Sequence, residues 1–331
     1  MEIKFLKAGS GDSILIHHKK HNILVDGGND SRYLLNEIDA IHKSNEVIDL
    51  LVITHHDDDH IKGVIDLLEL VVKGNYGVPK EFIKRVIFNS PKLILDKLPA
   101  KKNRLLSYKQ AHIVEELLMN ISPNWEKCTD ESDSIEFEDL KIDVLSPNNS
   151  SIEKYREHKN VYLTSDYRCD WNTPMYILEK HLTDESQDKS IPNMSSVVLK
   201  LECDDKKVLL TADVTPNRLE FILNNLVKDN AGTPLSFDYV KLPHHASYRS
   251  LNEQIIKNIS CHNYIISTNS KKYFLPNKRA LLKIVKNKSK EQINFLFNYE
   301  EALDNLNITS KEMKDYNFKL TPNNKDYGIS I

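Results

Sequence analysis

Within eight residues, Ile53-Thr54-His55-His56-Asp57-Asp58-Asp59-His60, this chain places three imidazoles and three carboxylates. They follow Leu50–Ile53, an apolar run with the pattern of a buried strand, so the cluster stands where a strand end opens into a cleft. Histidine and aspartate at that density serve metal binding, with a solvated acidic loop as the weaker alternative. In extended backbone, alternate residues share a face. His55, Asp57 and Asp59 therefore converge, His60 joins them once the chain turns, and His56 falls on the opposite side, outside the ligand set. Such a centre does hydrolysis: a bound ion lowers the pKa of water from about 15.7 to roughly 7, giving hydroxide at neutral pH. Two ions about 3.5–4 Å apart stabilise both the attacking and the leaving oxygen of a displaced phosphoryl group.

The elements that must position this cluster recur along the chain. Gly9-Ser10-Gly11-Asp12-Ser13-Ile14-Leu15-Ile16 and Ile23-Leu24-Val25-Asp26-Gly27-Gly28 have the pattern of paired strands with polar turns. Val208-Leu209-Leu210-Thr211-Ala212-Asp213 is a strand ending in a carboxylate, and Tyr239-Val240-Lys241-Leu242-Pro243-His244-His245-Ala246-Ser247 is one ending in imidazoles. In this order the segments resemble the metallo-β-lactamase superfamily, and most closely the branch that includes the soluble domain of ComEC-type DNA-uptake proteins. That branch carries G-x-G-D, D-G-G, T-H-x-D-x-D-H, L-T-G-D and H-H-G-S. The resemblance implies an α/β fold, a four-layer αββα sandwich of two sheets with helices outside, and a pair of divalent ions. His55 and Asp57 would hold the first ion, and Asp59 and His60 the second. Asp213 would bridge both and His244 would complete the second site. His245 would carry a proton or touch phosphate, although which of His244 and His245 is the ligand stays open. Asp59, Asp213 and His245 are thus the candidate catalytic residues. Asp12 and Asp26 fall at the cleft floor, where carboxylates orient ligand histidines from behind; their alternative is turn formation beside Gly11 and Gly27.

Two departures from the superfamily bear on the metal and the substrate. Asp57 stands where many members have histidine, and Asn193-Met194-Ser195-Ser196 stands where they have another, as in the N-x-S pattern of the ComEC-like branch. The first site is then oxygen-rich, so Mn²⁺ or Mg²⁺ rivals Zn²⁺. Phe274-Leu275-Pro276-Asn277 replaces a G-H-P pattern, removing a histidine from the substrate side.

With 331 residues, 40% of them hydrophobic and 28% charged, the chain can bury a large core as one domain. A helical or mixed insertion is expected at about 65–135, containing a helix at 111–119, and a polar loop excursion with several aromatic residues at about 148–192. Further helices are expected near 34–44, from Ile61, at 216–227 and from Lys278, and a hairpin through Cys203-Asp204-Asp205-Lys206. No apolar run approaches the roughly 20 residues that cross a bilayer, and no signal-peptide pattern opens the chain. Cys128, Cys169, Cys203 and Cys261 are too scattered for a C-x-x-C site and read as reduced thiols of a cytoplasmic protein. His17, His18 and His21 belong to an early hairpin and are expected on the surface.

The formal net charge of −3 conceals uneven placement. Residues 255–290 contain nine Lys and Arg and no Asp or Glu. A second basic stretch holds Lys84, Arg85, Lys92, Lys97, Lys101, Lys102 and Arg104, and the acidic run 126–143 offsets both. Basic patches around a metal cleft suit a phosphate backbone; helical spacing selects Lys278, Arg279 and Lys283 as its contacts. The expected activity is therefore a metal-dependent phosphodiesterase, a nuclease on DNA or RNA. The alternatives are a hydrolase of a small ester, lactone or cyclic nucleotide, and a non-catalytic nucleic-acid sensor. Because freestanding proteins of this branch occur beside bacterial antiviral genes, the resemblance also implies protein partners in defence; the lack of a bilayer-length apolar run sets the chain apart from the resembled channel and implies no membrane partner.

Overall fold

Apolar residues on both faces of the central strands demand a layer on each side. In chain order the strands are β1 (Glu2–Leu6), β2 (Ile14–His18), β3 (His21–Val25), β4 (Ile48–Ile53), β5 (Ile83–Phe88), β6 (Asn124–Glu126), β7 (Ile135–Phe137), β8 (Leu140–Ser146) and β9 (Val198–Cys203). The remainder are β10 (Lys206–Leu210), β11 (Leu235–Ser236), β12 (Tyr239–Lys241), β13 (Ile259–Ser260), β14 (Asn263–Ile266), β15 (Ile293–Phe297), β16 (Phe318–Thr321) and β17 (Gly328–Ser330). One sheet runs β17-β1-β2-β3-β4-β5-β6 and the other β16-β15-β14-β12-β10-β9-β8-β7, with β11 and β13 a small separate pair. This computed structural model describes residues 1–94, 106–157, 169–183, 187–288 and 291–331. Lys97, Lys101, Lys102, Arg104, Tyr162, Asp166 and Lys290 lie outside the described residues.

Three apolar layers hold the fold. Between the sheets, Phe5, Ile16, Val25 and Val52 of the first meet Ile142, Leu201, Leu210 and Ile265 of the second. Outside the first sheet, Leu24, Leu51 and Ile53 pack against the helices Arg32–Lys43, Asp58–Val72 and Leu106–Ile121. Outside the second, Leu209, Val240, Ile266 and Phe295 pack against Pro216–Asp229, Glu253–Asn258 and Lys278–Asn287. The architecture is the expected αββα sandwich. The segment expected as an insertion supplies β5, β6 and one covering helix of the first layer, and the 203–206 hairpin forms with Cys203 opposite Lys206. All four cysteines are free thiols. Among the described residues no helix is long and apolar enough to cross a membrane.

Three local expectations are corrected. First, the helix expected from Ile61 begins at Asp58, so Asp59 is helical, not extended, and His60 lies within the helix. The carboxylates Asp58 and Asp59 suit a helix's positive first turn, and Asp57 stays extended before it (φ −71°, ψ 147°). Second, His18 is buried and bonds Asp139 through Nε2 at 2.8 Å.

Third, Lys278, Arg279 and Lys283 do not present a phosphate-binding face. Lys278 and Lys283 are only 1% and 5% exposed. Lys278 Nζ donates to the Asn307 carbonyl (3.2 Å), and Lys283 Nζ to those of Thr183 (3.1 Å) and Leu251 (3.0 Å). Arg279 pairs with Asp170 and stacks on Tyr248, its guanidinium 4.5 Å from the ring centre. Long cationic stems can cover apolar surface while the head bonds carbonyls, and the helical spacing that suggested a shared face equally suits inward packing.

The helix Asp58–Val72, which carries Asp59 and His60, is seated by backbone contact. Gly27 N–H donates to His60 O and Gly63 N–H to Gly28 O, both at 2.8 Å. A Cβ at Gly63 would lie 2.0 Å from the Gly27 carbonyl oxygen. Gly63→Ala should therefore cost roughly 2 kcal/mol or more in denaturant unfolding, with divalent-ion retention falling alongside; a stable variant with full metal content would contradict this seating. Lys283→Ala should lose roughly 1–3 kcal/mol by stranding the Leu251 carbonyl, while the Thr183 carbonyl keeps the Tyr248 hydroxyl. Parental stability, combined with a flatter salt dependence of nucleic-acid binding, would restore the phosphate-contact role.

Candidate metal centre

Asp26 follows β3 in left-handed backbone (φ 58°) and is fully buried. Its Oδ1 accepts from Thr54 N–H at 2.8 Å, and its Oδ2 accepts from the Thr54 hydroxyl at 2.6 Å and from His60 Nδ1 at 2.8 Å. The Thr54 proton is thereby spent, so Thr54 Oγ1 accepts from His55 Nδ1 at 3.0 Å. Across the cleft, His245 Nδ1 donates to the Ser267 carbonyl at 2.8 Å. Each of these three Nδ1 atoms carries a proton, and each imidazole therefore offers its Nε2 lone pair inward.

Those lone pairs converge on one carboxylate. His60 Nε2 lies 3.5 Å and His245 Nε2 3.6 Å from Asp213 Oδ1. His55, His60 and Asp213 form one group whose ligand atoms lie within 4.8 Å of one another. Asp57 Oδ2 stands 3.9 Å from His55 Nε2, and Asp59 Oδ2 stands 3.9 Å from His245 Nε2. Nε2 of His55, His60 and His245 and Oδ1 of Asp213 are all buried without a hydrogen-bond partner. Several acceptors facing one another in a dry site are costly unless a cation satisfies them together. The donor set of imidazole nitrogens and carboxylate oxygens fits divalent Zn²⁺ or Mn²⁺.

The charges packed around these groups shift their pKa values strongly. Burial pushes His60 down, yet Asp213 and Asp26 hold it well above the usual imidazole range. Burial and the neighbouring His60 press His55 down to about 3. Asp213 is held well below the carboxylate range against its burial, by His245, His244 and His60. A divalent ion would displace the proton from His60.

His244, His245 and Ala246 form three consecutive left-handed residues (φ 46°, 53° and 64°). Ala212, before Asp213, is a fourth (φ 46°). Non-glycine residues seldom adopt this region, and it clusters at functional sites. The turn separates the histidine pair. His245 is buried, whereas His244 has a side chain 25% exposed, with Nε2 3.7 Å from Asp213 Oδ2. Behind His244, Asp188 Oδ2 lies 3.3 Å from its Nδ1, and Asn193 Nδ2 bonds that same carboxylate oxygen at 2.7 Å. Burial lowers the His244 pKa, but Asp213 and Asp188 lift it to about 9. Asp12 stands behind His245 (Oδ1 to Nδ1, 3.7 Å) and pairs with the buried Lys241.

Every expected ligand is therefore at one cleft, with Asp12, Asp26 and Asn193 behind it; Lys278, Arg279 and Lys283 are elsewhere. Sequence reasoning missed Asp188 and Lys241. A lone lysine ending the apolar strand Tyr239–Lys241 could have signalled Lys241, but nothing marked Asp188 among the polar residues 148–192. His56, opposite the ligands, packs its ring 4.9 Å from Tyr108 and 5.7 Å from Tyr155.

The family model of the metallo-β-lactamase superfamily matches residues 6–84, which hold Asp12, Asp26, His55, Asp57, Asp59 and His60. No curated protein matches the sequence. The metallo-β-lactamase fold protein YhfI of Bacillus subtilis aligns at 9% identity and TM-score 0.47, over 100% of this chain and 98% of that one. Zn²⁺-bound PqqB from Methylobacterium extorquens aligns at 10% identity and TM-score 0.47, over 100% and 99%. The match covers residues 6–84 alone, and it is this segment that is similar to the metallo-β-lactamase superfamily.

Proposed function

We propose that this chain is a metal-dependent phosphodiesterase that cuts nucleic acid, holding two divalent ions. The observation that carries the reading is the convergence of buried, unpartnered Nε2 atoms of His55, His60 and His245 on Asp213 Oδ1. His55 and Asp57 would hold one ion, Asp59, His60 and His245 the other, and Asp213 would be shared. Of the histidine pair, whose ligand the sequence left open, this reading takes His245 as the ligand, supported by its burial and unpartnered Nε2, and His244 as the proton carrier. Divalent ions held there would supply Lewis acidity, making water a nucleophile at neutral pH and spreading phosphoryl charge.

The chain's own residues do the rest. Asp26 and Thr54 fix the imidazole orientations, which keeps the ligand atoms preorganised. His244, backed by Asp188 at the cleft mouth, is placed to give a proton from Nε2 to the leaving oxygen. Lys272 bonds Asp58 at 3.2 Å and feels the charge of Asp59, which places a cation beside the ligand helix for an incoming phosphate. Three carboxylate ligands favour hard ions, so Mn²⁺ belongs in the trial with Zn²⁺. The four free thiols suit a reducing compartment such as the cytoplasm, and partners in antiviral defence belong to the same proposal.

Asp213→Asn nearly preserves size but removes a shared negative ligand. Hydrolysis of bis(p-nitrophenyl) phosphate and of labelled DNA or RNA should fall at least about 100-fold, and metal content should drop toward one ion or none. Full activity with two ions bound would remove Asp213 from the centre. Parental protein that cleaves p-nitrophenyl acetate but no phosphodiester, with either ion, would replace this reading with a small-ester hydrolase.

A further inference from the structure

Beside the metal centre, on the far side of Asp188, lies a cavity of about 310 Å³. It is bounded by the helices Asn149–Glu157 and Pro216–Asp229 and by the Asp188–Lys189 segment. Asp188 is common to both places, since it lines the cavity while its Oδ2 stands 3.3 Å from His244 Nδ1. Asp188 thus stands between the cavity and the Nδ1 side of His244.

The lining is cationic. Lys154 and Lys189 are exposed and have no ion-pair partner among the described residues. Arg218, only 5% exposed, also lines the cavity; its Nη2 is paired with Asp130 at 2.6 Å, and its Nη1 has no hydrogen-bond partner. The one carboxylate of the lining, Asp188, is already engaged by Ser190 N–H (2.9 Å) and by Asn193 and His244. The 14-residue helix Pro216–Asp229 begins here, and its N-cap, Thr215, makes no side-chain cap. The first-turn amides of Asn217 and Arg218 therefore have no intrahelical acceptor and are oriented as anion donors. Phe221, one turn further on, is 52% exposed; Arg218 covers it at 5.5 Å from the ring centre and much of the ring stays open.

We propose that this cavity binds the nucleotide next to the scissile phosphate of a single-stranded substrate, with its phosphate on Lys154, Lys189 and the helix start and its base stacked on Phe221. The inference rests on the phosphodiesterase reading and gives it a substrate class. Cations explain an anion, but an exposed aromatic ring on the same rim explains a base, and only an unstacked base can reach it. A duplex keeps its bases inside and would gain only the charge contacts.

The test is calorimetric titration of the metal-loaded protein with AMP, adenosine and inorganic phosphate, using the parent, Lys154→Ala/Lys189→Ala and Phe221→Ala. All three positions are exposed, and matching unfolding curves will verify the fold. AMP should bind the parent more tightly than adenosine or phosphate does, and each variant should weaken AMP at least about fivefold, within the scale of one lost stacking contact. AMP binding that is absent from the parent, or equal in all three proteins, overturns the site; phosphate binding as tightly as AMP overturns the base contact. Hydrolysis of bis(p-nitrophenyl) phosphate reports separately on the metal chemistry. If the parent fails to hydrolyse it while AMP binding follows the expected pattern, the phosphodiesterase reading falls and the nucleotide site stands.

Discussion

The centre depends on one fully buried carboxylate. Asp26 accepts two hydrogen bonds from Thr54 and one from His60, and through the Thr54 hydroxyl it also fixes His55. Burial pushes its carboxyl pKa up, and His60 and Thr54 oppose that shift. That cost is offset by contacts that fix the rings of His55 and His60, whose Nε2 atoms are ligands in the proposed centre. The same residue ties together the end of β3, the end of β4 and the ligand helix, whose approach is close enough to require glycine at Gly27 and Gly63.

The second sheet supplies the opposing half. β10 and β12 run parallel, so Asp213 and the His244–His245 turn emerge from neighbouring strand ends at the same edge. Thr211 Oγ1 donates to the Lys241 carbonyl at 2.6 Å, and Lys241 pairs with Asp12 of the first sheet. That ion pair connects the two sheets directly beneath the centre and offsets one of its carboxylates. Asp57, Asp59 and Asp213 remain for the ions of the proposed centre.

Much of this was legible because metal ligands are few in kind and their spacing is local. The strand before His55, the strand before Asp213 and the 203–206 hairpin follow directly from apolar pattern and turn residues. The start of the ligand helix was less visible, since acidic residues before an apolar helix satisfy an extended loop and a helical first turn equally well. Lys278 and Lys283 misled because charge suggests exposure, whereas their carbonyl partners at Asn307, Thr183 and Leu251 are distant in sequence. Asp188 was hidden for the same reason: its meaning comes from His244, 56 residues away. The left-handed backbone at Ala212 and Ala246 could have been inferred, because the resembled patterns L-T-G-D and H-H-G-S place glycine there.

The central claim is that the Nε2 atoms of His55, His60 and His245, together with Asp213, hold divalent ions. Anomalous diffraction from crystals grown with Zn²⁺, and separately with Mn²⁺, tests it atom by atom. The account predicts two peaks per chain, each about 2.0–2.2 Å from its ligands, one at His55 Nε2 and one at His60 Nε2 and His245 Nε2, sharing Asp213. Saturating metal that leaves these atoms without a peak, or ions bound through Nδ1 with Asp26 displaced, would contradict it.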